Sequence, residues 1–138
     1  MGVPRPSLSL AIVGADYPNK RGPSRRFEIA LCATGDPVEL RPEPKNPADP
    51  RAVAVFSARG VQLGYLTAER APWIGGMLAQ GRELQAIFQA KAAWGCVIRV
   101  GFDGEEPSLP AAEMVTEETE TSDYWRDEIW PGDEFGDV

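Results

Sequence analysis

"RAVAVFSARGVQLGYL" (51–66) sets the fold class of this chain. Two short runs rich in β-formers, 51–57 and 61–66, flank the tripeptide ARG at 58–60, where Gly60 offers the positive φ that tight turns need. The reading is an antiparallel hairpin. Just upstream, prolines at 42, 44, 47 and 50 stiffen a single loop. The residue before each, Arg41, Glu43, Asn46 or Asp49, is pushed towards extended backbone. Four polar side chains are thus presented from a loop that loses little entropy on ordering. By residue type alone, Asn46 and Asp49 read first as braces of the loop's own backbone. They also carry the groups to hydrogen-bond a ligand.

Outward from the hairpin, "LSLAIVG" (8–14), "PVELR" (37–41), "ELQAIFQAKA" (83–92) and "CVIRVGF" (96–102) read as strands, the last two joined through "AWG". "SRRFEIALCATG" (24–35) reads two ways. Phe27, Ile29 and Leu31 alternate as in a strand. Ser24 as a cap, Gly35 past the end and one face of Phe27, Ala30 and Leu31 make a short helix, which is the assignment adopted. Thr67 caps a second helix running to about Gln80. Pro72 lies near its first turn and Gly75–Gly76 weaken its middle, so packing through Trp73, Ile74, Met77 and Leu78 must hold it. The expected fold is mainly β, a small barrel of five to six strands with two short helices. Phe27, Leu31, Val53, Val55, Leu63, Trp73 and Leu78 are its expected core.

A length of 138 residues supports one hydrophobic core, and 14 Gly with 13 Pro favour strands and loops over a helical bundle. No apolar run approaches the roughly 18 residues of a membrane span. The apolar stretch in "MGVPRPSLSLAIVG" is too short for a secretory signal, so a cytoplasmic protein without a membrane partner is expected. Cys32 and Cys96, in a chain with no His, make no metal-ligand spacing and read as buried core thiols rather than a disulfide. Without His the usual base for a Ser or Cys nucleophile is missing, and there is no phosphate-binding loop motif. Asp16 and Asp49 could in principle share a Mg²⁺, and nothing in their spacing requires it. No enzyme and no cofactor are expected.

Charge divides the chain. Residues 113–138 hold ten acids against Arg126 alone, a net −9, whereas the other 112 residues carry 13 bases and 11 acids, a net +2. Four bases crowd into "KRGPSRR" (20–26), a cluster that by residue type reads first as a solvated loop. Strand and helix patterning stops at Gly104. The expected division is a barrel over 1–104 and a disordered acidic tail over 105–138. In that tail Trp125, Trp130 and Phe135 read as anchors for a protein partner, with the acids steering its approach.

"VELRPEPKNPADPRAVAVFSARGVQLGYLTAERA" (38–71) resembles the core signature of the HIRAN domain, and the likeness extends over roughly 8–92. The resemblance implies a compact OB-like β-barrel. It also implies binding of single-stranded DNA at its 3′ end, in a family found in chromatin and DNA-repair proteins. Asp49 falls where the family places an Asp on the terminal 3′-hydroxyl, and Asn46 matches a neighbouring Asn. Tyr17 matches an aromatic at the exit of the first strand. Tyr65 takes a His position but keeps a flat ring with a polar tip, and Trp94 falls near another stacking aromatic. Read from residues alone, Tyr65 serves core or ligand equally, whereas Trp94 sits in an exposed turn.

The chain also departs from the pattern. Ala48 replaces a Tyr, removing a stacking platform worth about 1–3 kcal/mol per base. Asp16 and Ala68 replace basic residues. Lys20, Arg21, Arg25 and Arg26 could restore the lost phosphate attraction, particularly beside a helix N-terminus. The expected function is a non-catalytic module for single-stranded DNA or its 3′ end, with the acidic tail regulating binding or recruiting a partner. The alternative is a protein-interaction adaptor that does not bind nucleic acid.

Overall fold

The computed structural model describes residues 6–109. The acidic segment with Trp125, Trp130 and Phe135 lies outside the described residues. Six strands run β1 (Leu8–Val13), β2 (Pro37–Pro42), β3 (Val53–Ser57), β4 (Gln62–Leu66), β5 (Leu84–Ala92) and β6 (Gly95–Phe102). Helix α1 (Arg25–Leu31) follows β1, and α2 (Ala71–Ala79) follows β4. The strands close into a barrel in the order β1-β4-β3-β2-β5-β6, every pairing antiparallel.

Alternation along each strand decides what fills the barrel. Leu10 and Ile12 of β1, Val53 and Val55 of β3, Leu63 of β4, Phe88 of β5 and Ile98, Val100 and Phe102 of β6 meet in one cluster, each at most 1% exposed. The hairpin at 51–66 forms as its sequence predicts. Val55 pairs with Gly64 and Phe56 with Gln62, so a bulge on β4 absorbs Leu63. Gly60 closes the turn at φ +83°, donating its N–H to Ser57 O at 2.8 Å. Gly64 is required for a different reason: a Cβ there would collide with the Val13 carbonyl of the neighbouring strand β1.

Both helices correct the expected core. Ser24 caps α1 as predicted, its hydroxyl accepting from the Phe27 N–H at 3.0 Å. The buried face, however, is Arg25, Glu28 and Ile29, while Phe27 and Leu31 are each 55% exposed. The helix is turned so that a carboxylate enters the barrel wall. Glu28, 2% exposed, accepts from Ser57 Oγ at 2.7 Å and from Arg59 Nε and Nη2 at 3.0 and 2.7 Å. A buried charge is tolerable only when its lone pairs are met in this way. The Arg59 hydrogen bond, aided by Ser57, holds the Glu28 carboxyl below its ordinary range against the opposing effect of burial.

Helix α2 begins at Ala71 rather than Thr67, whose Oγ1 accepts from Arg70 N–H in the preceding turn. Ala71, Ile74 and Met77 are buried, Leu78 is half-buried, and Trp73 is 36% exposed, its ring 5.7 Å from that of Phe102. Both cysteines are buried and unpaired. Burial pushes the thiol pKa up to about 11 for Cys32 and about 12 for Cys96.

Candidate nucleic-acid interface

The proline loop between β2 and β3 is braced from inside. Asn46 N–H bonds to Glu43 O at 3.0 Å, and Asn46 Oδ1 accepts from the N–H groups of Ala48 and Asp49 at 2.8 and 3.2 Å. Asp49 Oδ1 accepts from Arg51 N–H at 2.9 Å. These are the self-bracing bonds that short polar side chains make in turns. They also aim what remains. Asn46 Nδ2 donates to Glu43 Oε1 at 3.0 Å, and the Tyr65 hydroxyl donates to the same oxygen at 2.9 Å. Glu43 thereby ties the loop to β4.

A second loop, between β1 and α1, faces the first. Asn19 Nδ2 donates to Pro23 O and to Gln62 O, both at 3.1 Å, which fastens this loop to β4. Arg25 is 7% exposed; it donates from Nε to Asn19 Oδ1 at 2.8 Å and from Nη1 to Gly14 O at 2.9 Å. Its guanidinium carbon lies 5.5 Å from the Tyr65 ring centroid, within cation–π range. Arg25 is therefore a scaffold of the loop as well as a charge beside the ring.

Between the two loops runs an open groove of about 730 Å³, with Lys20, Arg21, Arg25, Asn46 and Tyr65 among its walls. Five of the nine residues singled out on the barrel thus meet in one place. Arg26 is turned elsewhere. It pairs with Asp16 at 2.6 Å and donates from Nη1 to Ala93 O at 2.8 Å, locking α1 to the β5–β6 turn. That hydrogen bond and charge hold the Asp16 carboxyl below its ordinary range. Tyr17 is 69% exposed at the exit of β1 but does not line the groove. Trp94 is half-buried against Ala11 and Val97 on the outside of the barrel, less exposed than its turn position suggested. Asp49, whose N–H bonds to Asn46, also lies off the groove wall, with Oδ2 unpartnered among the described residues.

Sequence reasoning missed Asn19, Phe56 and Gln62, which also line the walls. Glu43 carried a signal, since it stands before Pro44 in the stiffened loop. Asn19 carried none, because its role depends on a 43-residue separation from Gln62. Chemically, the groove offers cations in its walls, the flat ring of Tyr65, and donors and acceptors fixed by the braced loop. Among the described residues no cluster of three His, Cys, Asp or Glu could hold a metal ion, and no helix is long and apolar enough to cross a membrane.

The family model of the HIRAN domain matches residues 7–93. The chain belongs to the HIRAN domain family. Among solved structures, this HIRAN chain resembles the crystal structure of the HIRAN domain of human HLTF, with TM-score 0.57 and 21% identity over 70% of this chain and 74% of that one. A protein from Lactobacillus plantarum gives TM-score 0.60 and 19% identity, over 72% of this chain and 93% of that one. The NMR structure of the HLTF HIRAN domain in its DNA-bound conformation gives TM-score 0.53 and 24% identity, over 75% of this chain and 80% of that one. No curated protein matches the chain. The matched span, 7–93, includes the hairpin and the proline loop that walls the groove.

Proposed function

We propose that this HIRAN domain is a non-catalytic module that binds single-stranded nucleic acid, DNA in the first instance, with the end of a strand seated in the groove between the two loops. The observation that carries the reading is the convergence of Lys20, Arg21, the Tyr65 ring and the braced Asn46 on one open groove. Cations attract the backbone, a ring stacks a base, and fixed polar groups read an edge or a terminal hydroxyl. Family membership and the DNA-bound conformation of the HLTF domain support it. Tyr17 and Trp94 are further stacking candidates along the path of a longer strand, and Arg26 is a further phosphate contact.

Asp49, in the same proline loop but outside the groove's lining, is the proposed acceptor for the 3′-hydroxyl of a strand whose last sugar projects from the groove, through the Oδ2 atom that the loop leaves unused. The Glu43 carboxylate, which does line the groove, disfavours a terminal phosphate. The test is a titration of labelled oligonucleotides with free, phosphate-blocked and recessed 3′ ends. A free 3′-hydroxyl end binds tighter than a blocked one, and Asp49→Ala removes that preference. Equal affinity for both ends in wild type and variant defeats end recognition. The acidic segment with Trp125, Trp130 and Phe135 is proposed to regulate binding or recruit a protein. The second reading, an adaptor for proteins alone, is favoured by one feature, the exposed Phe27 and Leu31 on α1. Nucleic-acid binding that is absent at low salt selects it.

A further inference from the structure

The proline loop has a second face. Glu43, Asn46 and Pro47 look into the polar groove, whereas Pro42, Pro44 and Pro50 wall a separate groove of about 690 Å³ on the other side. Its opposite wall is α2, which contributes Pro72, Gly76 and Ala79, and Val53 of the barrel core forms part of its lining. Nearly all of the lining is apolar. No acid lines it, and its one charge is Arg51, which makes no ion pair with a described residue. Apolar proline rings opposite the mostly small residues of α2 leave a groove that suits a planar apolar side chain.

We propose that this groove is the docking site of the chain's own acidic segment, residues 113–138, with the indole of Trp125 or Trp130 seated between Pro44 or Pro50 and α2. Three considerations select this occupant. The first is reach. The described chain ends at Leu109, and the 15 residues from there to Trp125 span up to about 50 Å when extended, which exceeds the roughly 26 Å of twice the gyration radius of a 100-residue domain. The second is charge. A segment with ten acids and one base meets a groove whose single charge is a cation, so its carboxylates face Arg51 and no like charge. The third is chemistry. An indole gains from burial only where it strips no hydrogen bonds from the wall. The groove with Lys20 and Arg21 carries Asn19, Glu43, Asn46 and Gln62 in its walls, and an indole there would desolvate them; the α2 groove has no such side chains.

The test uses the full chain labelled with ¹⁵N and three variants. Trp125→Ala with Trp130→Ala removes both anchors from a segment outside the barrel. Gly76→Leu fills the groove, because a Cβ at Gly76 meets nothing within 4 Å. Arg51→Glu reverses the one charge. The expected result has three parts. Backbone amides of Arg51, Gly75, Gly76 and Ala79 differ between wild type and the double Trp variant at every protein concentration. Gly76→Leu shifts the indole N–H signals of the segment to the positions they hold in an isolated 113–138 peptide. Arg51→Glu moves them part of the way. Groove amides identical in wild type and the double Trp variant overturn the proposal. So do changes confined to Lys20–Arg26, which place the segment in the polar groove, and changes that scale with concentration, which assign the segment to a second copy. If Gly76→Leu fails to keep the amide pattern of Ile12, Val97 and Ile98, the double Trp variant alone decides.

Discussion

Glu28 shows how one side chain can set the orientation of a helix. It is the buried polar centre of α1, and Ser57 and Arg59 at the hairpin turn satisfy it. Replacing it by Gln keeps the shape but loses the charge-assisted bonds, at a cost of about 1.5–3 kcal/mol at pH 7 in urea unfolding. The sign of its pH dependence follows from the lowered folded-state pKa. The ionised carboxylate stabilises the fold above the ordinary value of 4.5, and that contribution is lost as pH falls through the lowered value. The stability gap between wild type and Glu28→Gln is therefore full at neutral pH and closes in acid; a gap that persists unchanged at pH 2 removes this assignment. In the groove, Tyr65→Ala removes the ring and should weaken single-strand binding by about 1–3 kcal/mol, roughly 5- to 150-fold. Tyr65→Phe removes only the bond to Glu43 and should lose much less; fluorescence anisotropy distinguishes the two.

At the scale of elements, α1 is where reading the sequence succeeded and failed at once. Its start was legible because Ser24 is a strong cap; its end was not, for the helix stops at Leu31 with Cys32 as its cap, short of the Gly35 stop signal. Its orientation was not, because the apolar residues Phe27, Ala30 and Leu31 suggest a face that the barrel leaves in solvent. The partners that reverse it, Ser57 and Arg59, lie about thirty residues downstream, beyond any window of periodicity. A direct check compares two truncations. Ile29→Ala should cost about 2–5 kcal/mol, as a buried side chain does, whereas Leu31→Ala should stay within about 0.5 kcal/mol. The hairpin was legible in its turn and its antiparallel pairing, since β-forming runs and Gly60 specify both locally, but the bulge at Leu63 and the start of β3 at Val53 were not. The loop was legible in its stiffness and in the Asn46 and Asp49 braces. The convergence of Tyr65, Glu43 and Asn19 was not, for each contact crosses from one element to another. In α2, Gly76→Ala places a methyl in open space and should stabilise by about 1 kcal/mol through helix propensity alone.

The whole molecule presents a mild positive charge over its first 112 residues and a strong negative one over its last 26. Binding through Lys20 and Arg21 should show an affinity that falls with salt. Replacing both by Ala should flatten the slope of log K against log salt by about 1.4, at roughly 0.7 per phosphate contact on a single strand. An unchanged slope moves the strand's path to other cations. Both thiols are buried and held protonated, so they should react with a disulfide reagent only as fast as the barrel opens. Cys96, wholly enclosed in the core, then serves as a clock for global unfolding.

The loop from Pro42 to Pro50 is a partition with a chamber on either side. A rigid partition cannot be displaced on one side alone. If an occupant of the apolar chamber changes the affinity of the polar one by some factor, thermodynamic reciprocity makes the polar occupant change the apolar one by the same factor. The prolines that stiffen this stretch raise the stakes of such a linkage, because a hinge that cannot flex transmits a push instead of absorbing it.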